Sequence, residues 1–210
     1  MPNITAPAFS FPSKSFPAQQ AGAPAGAMGE LSMSELLGKY ATLAKSGKVF
    51  YTSAIITAPV IFSTAAQLGP IIWNKTGSGL DAHILALAVG QPTTAATVGG
   101  ALGWAAVPQT TLPTSQTAIT TNNAYAGGGA SQMASVGTGG TVIVLPAPIF
   151  LPLTGVVNTA GVTTTTVTST FVDVGGALIV APGTAGYVCG SATLTAGVFT
   201  IGLLWCELPV

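Results

Sequence analysis

Charge is what this sequence has least of. Its 210 residues hold five lysines, no arginine, five acidic residues and one histidine. A charged fraction of 5% compares with roughly 25% in a typical soluble domain. Solubility as a monomer depends on charged surface, and a net charge near zero promotes association. Permanent interfaces are apolar and poor in charge, so the shortage points to a chain that spends its life assembled. It also argues against an enzyme, because the few ionisable groups are too scattered to build a catalytic centre.

Other shortages exclude further classes. With no arginine and lysines only at 14, 39, 45, 48 and 75, there is no basic cluster of the kind nucleic-acid binding requires. A membrane helix needs about 20 apolar residues in a row. The best run, Val49 to Trp73, is broken by Pro59 and Pro70 and diluted by Thr52, Ser53, Thr57, Ser63 and Thr64. Aromatic residues are sparse at 7%, which disfavours the aromatic girdles of an outer-membrane barrel. The start, Met1-Pro2-Asn3-Ile4-Thr5, has neither a basic nor an apolar leader region, so synthesis and assembly in the cytoplasm are expected. The two cysteines, Cys189 and Cys206, lie in apolar, strand-like segments. They read as reduced, buried small hydrophobes, with a cross-strand disulfide as the alternative.

What is present divides the chain into three parts. Residues 1–29 are rich in Pro, Ala, Gly, Ser and Gln, with Phe9, Phe11 and Phe16 at intervals. Pro7, Pro12, Pro17 and Pro24 rule out a regular helix. Spaced phenylalanines on an extended arm read as anchors for pockets on a neighbour; the alternative is a tail touching its own domain. Residues 30–47 predict a helix. Ser32 or Ser34 caps it, Glu30 and Glu35 favour its start, and Leu36, Leu37, Tyr40, Leu43 and Ala44 share a face. Gly47 is the expected stop.

From residue 48 to 210 the pattern is short β-branched or apolar runs between Gly and Pro turns. Strands are expected at Val49–Ile56, Val60–Phe62, Ile71–Trp73, Asp81–Val89, Val98–Val107, Thr141–Leu145, Ile149–Leu151, Val162–Val174 and Leu178–Val180. Gly186–Leu194 and Val198–Cys206 complete the set as a hairpin about Thr195-Ala196-Gly197. A Thr-, Asn- and Gly-rich excursion fills residues 108–140. The expected fold is therefore all-β: a jelly-roll-like β-sandwich or barrel, with an extended N-terminal arm and one short helix.

Few residues invite chemistry. Asp81 and His83 stand two apart on one strand and share a face, with Ser78 nearby. No nucleophile elbow accompanies them, and no third metal ligand is evident. Three copies of His83 on a trimer axis are one alternative; a polar interface patch is the other. Asp173 before Gly175-Gly176 reads as a turn residue, and Glu207 as one that pairs or faces solvent. Gly137-Thr138-Gly139-Gly140 lacks the lysine and helix of a phosphate loop. No catalytic residue, metal or cofactor is expected.

Three blocks carry a resemblance. They are Gly47-Lys48-Val49-Phe50-Tyr51-Thr52-Ser53-Ala54; Ile72-Trp73-Asn74 with the following turn and the strand from Ala82 to Gly90; and Val180-Ala181-Pro182-Gly183 with Val198 to Trp205 and the ending Glu207-Leu208-Pro209-Val210. Together they resemble small capsid-associated proteins of tailed bacteriophages, of the cement (decoration) or head-fibre kind. The resemblance implies a jelly-roll-like domain, commonly a homotrimer, seated on the major capsid protein on the outside of the virion. It implies no membrane partner. Two alternatives stay open: a head or tail fibre binding a host receptor through Trp104 and the loop Asn122-Asn123-Tyr125, and an outer-membrane or surface-layer β-protein.

Overall fold

The structure is a computed structural model that describes residues 39–90, 100–133, 135–143, 150–156 and 169–210. The chain divides into two compact units, Met1–Ala41 and Thr42–Val210. Of the first, only residues 39–41 are described. The arm over 1–29, with Phe9, Phe11 and Phe16, lies outside the described residues, as does the 30–38 part of the predicted helix.

The described helix is short: α1, Ala41–Lys45. It ends where the sequence predicts. Gly47 adopts φ +70°, its N–H donates to the Ala44 carbonyl and the Lys48 N–H to the Leu43 carbonyl. These two bonds are the Schellman closure that a left-handed glycine permits.

Among the described residues eleven strands follow: β1 Val49–Thr57, β2 Ala66–Asn74, β3 Leu80–Gly90, β4 Gly100–Pro108, β5 Thr117–Ala118, β6 Thr121–Asn123, β7 Ser135–Thr141, β8 Phe150–Val156, β9 Ser169–Val180, β10 Thr184–Gly190 and β11 Val198–Pro209. They form two antiparallel sheets, ordered β6-β1-β11-β3-β9 and β5-β7-β2-β10-β4-β8. The long pairs are nested: β1 with β11, β2 with β10, β3 with β9, β4 with β8. An antiparallel ribbon folded over on itself gives this nesting, which is the jelly-roll winding of a two-sheet sandwich. The fold class expected from the sequence is therefore the one observed. The excursion after β4 adds β6 to one sheet and β5-β7 to the other.

Alternation places the core. Along β11, Phe199, Ile201, Leu203 and Trp205 point between the sheets, while Thr200, Gly202 and Leu204 point away. Phe50, Ile72, Ile84, Leu87, Trp104 and Val188 meet them. Trp104 lies so close over Gly186 that a Cβ there would come within 2.1 Å of its ring. A second apolar cluster sits on the far side of the six-stranded sheet: Ile71, Ala105, Val107, Ala185, Tyr187 and Cys189, under Phe62, Phe150 and Val142. The Phe62 and Phe150 rings stack at 5.0 Å. The Tyr187 hydroxyl donates to the Phe62 carbonyl, and the Trp73 indole N–H to the Gln109 carbonyl. That sheet is thus covered on both faces by the chain itself.

Three expectations are corrected. Val60–Phe62 is not a strand. Beyond one bridge at Ile61 it serves as cover, held by Gln67 Nε2 donating to the Ile61 carbonyl. The segment about Thr195-Ala196-Gly197 is not a hairpin turn, because β10 and β11 belong to opposite sheets and the segment crosses between them. The third is the strand expected at Thr141–Leu145: β7 ends at Thr141 and Val142 and Ile143 are not strand, while Val144 and Leu145 lie outside the described residues. Cys189 and Cys206, one in each sheet, are both free, which resolves the cysteine alternatives in favour of reduced thiols.

Candidate functional site

Two surfaces stand out, one polar and one apolar. The polar one is a cleft of about 350 Å³ at the end of the sandwich where β1 begins and β11 ends. Its floor is Glu207, only 3% exposed. Burial of a carboxylate is costly unless its oxygens are satisfied. Here Oε1 accepts from the Ser131 hydroxyl and from the Trp205 indole N–H at 3.1 Å. Oε2 accepts from the Gln132 N–H at 2.8 Å. Lys45 and Lys48 stand on the rim. Among the described residues neither ammonium has an ion-pair partner. Three of the ten charged side chains of the whole chain therefore converge on this cleft.

Asn123 braces the walls. Its Nδ2 donates to the Gly47 and Gly129 carbonyls, both at 2.9 Å, while its Oδ1 accepts from the Tyr125 N–H at 2.9 Å. These bonds tie the 124–129 loop to the corner after α1. Gly128 is needed there, since a Cβ would fall within 2.5 Å of the Asn123 side chain. Tyr125 is left as an exposed aromatic wall.

The apolar surface is the outer face of the five-stranded sheet. Register sets its rows: Ile55 beside Thr200 and Gly90, then Ser53, Gly202, Ala88 and Phe171, then Tyr51 and Leu204. Ile55 is 72% exposed and Phe171 68%. Beside them the small Gly202 and Ala88 keep the face flat. Asp173 lies at the edge strand, its carboxylate accepting from the Gly175 N–H. No segment among the described residues covers Ile55 or Phe171, in contrast to the doubly covered partner sheet.

The chain matches no protein-family model, no curated protein and no solved structure. Function must then be argued from these surfaces and from the sequence blocks.

The residues singled out from sequence are dispersed. Asp81 and His83 do share a face of β3, and His83 Nδ1 lies 3.3 Å from the Gly176 carbonyl. Ser78 is engaged in its own turn, its hydroxyl donating to the Leu80 carbonyl. Among the described residues no three His, Cys, Asp or Glu side chains gather as a metal set. Trp104, paired in the fibre alternative with the Asn122–Tyr125 loop, is buried between the sheets at 4% exposure. That corrects the grouping: Tyr125 remains at the surface and Trp104 does not. The cleft was missed because Lys45, Lys48, Asn123 and Glu207 are distant in sequence. The available signal was their rarity. Cys189 is buried in the apolar cluster, which pushes its thiol up to about 12, and burial likewise raises Cys206. Neither serves as a nucleophile in that state.

Proposed function

We propose that this protein is a structural component of a virus particle, a capsid cement or decoration protein that self-associates, as a homotrimer, and binds the lattice of the major capsid protein. The observation that carries the self-associating part is the uncovered face bearing Ile55 and Phe171. Large open apolar patches mark interaction surfaces. A second copy is the occupant best suited to it, because the rows that hold Ile55 and Phe171, with Thr200, Gly90, Ser53, Gly202 and Ala88, present no charge to strand on burial. The low charge of the whole chain supports the same reading. The virion assignment rests on the resemblance of the sequence blocks to phage capsid-associated proteins. The jelly-roll sandwich is compatible with that role but, as a fold, hosts many others.

In this reading stabilisation of the shell involves no bond chemistry. Buried apolar area joins the copies, and the Phe9, Phe11 and Phe16 arm reaches the neighbouring capsid protein. Cryo-electron microscopy of particles containing the protein tests the assignment: density on the capsid exterior is expected, and density at a tail tip or in a membrane refutes it. Deleting residues 1–29 tests the arm. Oligomers are expected to persist while attachment to shells is lost; unchanged attachment refutes the anchor role.

A further inference from the structure

The end cleft is not explained by a purely architectural role. A chain with so few charges has placed two lysines and a buried glutamate around one cavity, and has braced that cavity with a dedicated asparagine. We propose that the cleft binds an acidic pyranose, a six-membered sugar ring bearing a carboxylate.

Four features select that ligand. First, the charge balance of Lys45, Lys48 and Glu207 is positive, and the two ammoniums are the uncommitted groups, so an anion is favoured. Second, Glu207 is fixed by three donors, two on Oε1 and one on Oε2. A carboxylate accepts about four hydrogen bonds, so Oε2 keeps capacity for a ligand hydroxyl. Third, Tyr125 presents an exposed ring at the wall, a flat apolar surface suited to the C–H face of a sugar. Fourth, about 350 Å³ lies at the small end of ligand pockets, suited to one sugar residue.

An acidic peptide fits less well. Extended peptides bind by pairing with free backbone groups. Here the Gly47 and Gly129 carbonyls are taken by Asn123, the Lys48 carbonyl by the Glu207 N–H, and the Tyr125 carbonyl by the Gly128 N–H. The hydroxyl and ring-face features of the cleft would also go unused.

Titration of the full-length protein by ligand-observed and amide-shift NMR tests this, with glucuronic acid, N-acetylneuraminic acid, glucose and tri-glutamate as probes at matched ionic strength. At least one acidic sugar is expected to bind in the millimolar range, and glucose about tenfold more weakly, the worth of one charge-assisted contact. Lys45→Ala and Lys48→Ala should each weaken the acidic sugar by about tenfold, and Tyr125→Ala by roughly two- to tenfold. All three side chains are exposed, so the melting temperature should stay unchanged and report that the fold is intact. The proposal is overturned if neither acidic sugar shifts any resonance, if tri-glutamate binds as tightly as the sugars, if glucose does so, or if the three variants bind like the parent. Each of these results leaves the self-association of the sheet face untouched, so the two readings fail separately.

Discussion

Replacing Phe171 by aspartate is the sharpest test of the uncovered sheet face. Phe171 leaves 68% of its surface open. With about 200 Å² for an aromatic side chain, roughly 140 Å² of Phe171 is available to a partner. At ~25 cal/mol per Å² its cover contributes about 3 kcal/mol to association. Neighbouring side chains reclaim part of that in the variant, whereas a carboxylate beside Ala88 and buried under a partner adds a desolvation cost. A net loss of about 3 kcal/mol per contact corresponds to a Kd more than a hundredfold weaker. Sedimentation velocity over a wide concentration range measures it. The parent is expected as an oligomer and Phe171→Asp as a monomer at the same micromolar loading. Because Phe171 points away from both apolar clusters, its thermal unfolding as a monomer should remain cooperative. A parent that is monomeric throughout, or a variant that associates as tightly as the parent, refutes the assignment of this face.

Other consequences follow from the interior. Gly186→Ala drives a methyl into the Trp104 ring; overpacking of this kind costs about 1–3 kcal/mol, and calorimetry should show a melting temperature lower by several degrees. Glu207→Ala leaves the Trp205 indole and Ser131 hydroxyl without their acceptor, a loss of about 2–4 kcal/mol in urea unfolding, with Glu207→Gln recovering part of it. Equal stability of the alanine variant and the parent would remove the glutamate from its structural role. Alkaline pH should destabilise the fold. Burial raises Cys189 from 9.0 to about 12 and, with a smaller contribution from Cys189, Tyr187 from 10.0 to about 12. Below pH 9 both states hold these protons and stability is complete. From pH 9 to 12 the unfolded chain releases them and the folded chain does not, so stability falls by up to about 1.4 kcal/mol per pH unit for each group. Urea midpoints between pH 8 and 11 measure the slope, which Cys189→Ala should make shallower.

The local structure was legible in the sequence; the partnerships were not. Alternation along Phe199, Ile201, Leu203 and Trp205 announces a half-buried strand, and Gly47 announces the helix end, because both depend on neighbours within a few residues. The hairpin expected at Thr195-Ala196-Gly197 failed for a physical reason. Turn chemistry specifies a reversal of direction, but not whether the returning strand stays in its sheet. In a jelly roll it often crosses, and Val49 finds its partner at Cys206, far beyond the reach of any periodicity. Trp104 misled for a related reason. Aromatic identity does not say which face of a strand is inward, and the space that admits the ring is made by Gly186 on another strand. Val60–Phe62 has strand composition yet lies across a sheet as cover: it pairs with Gly190 alone, and Gln67 and Tyr187 take the Ile61 and Phe62 carbonyls that a longer ladder would otherwise use.

Scarcity of charge, the first feature of the sequence, takes on a spatial meaning once the strands are placed. Dilution alone would spread the few charged residues over the surface at random. Instead Lys45, Lys48 and Glu207 meet at one end of the sandwich, while the outer face of the five-stranded sheet keeps its acids away from Ile55, with Asp173 on the edge strand β9 and Asp81 at the start of β3. An apolar sheet face left open to water is an aggregation hazard, and a chain that tolerates it in one place while covering the opposite sheet with Phe62, Phe150 and Val142 is treating the two faces differently. Cover supplied by the chain serves a surface that must stay closed; cover supplied by another copy serves one that must assemble. The charged end, at the Lys48 end of β1, lies away from Ile55 near the other end of that strand. A cleft lined by Lys45, Lys48 and Glu207, set apart from the exposed Ile55 and Phe171, is the arrangement these placements share.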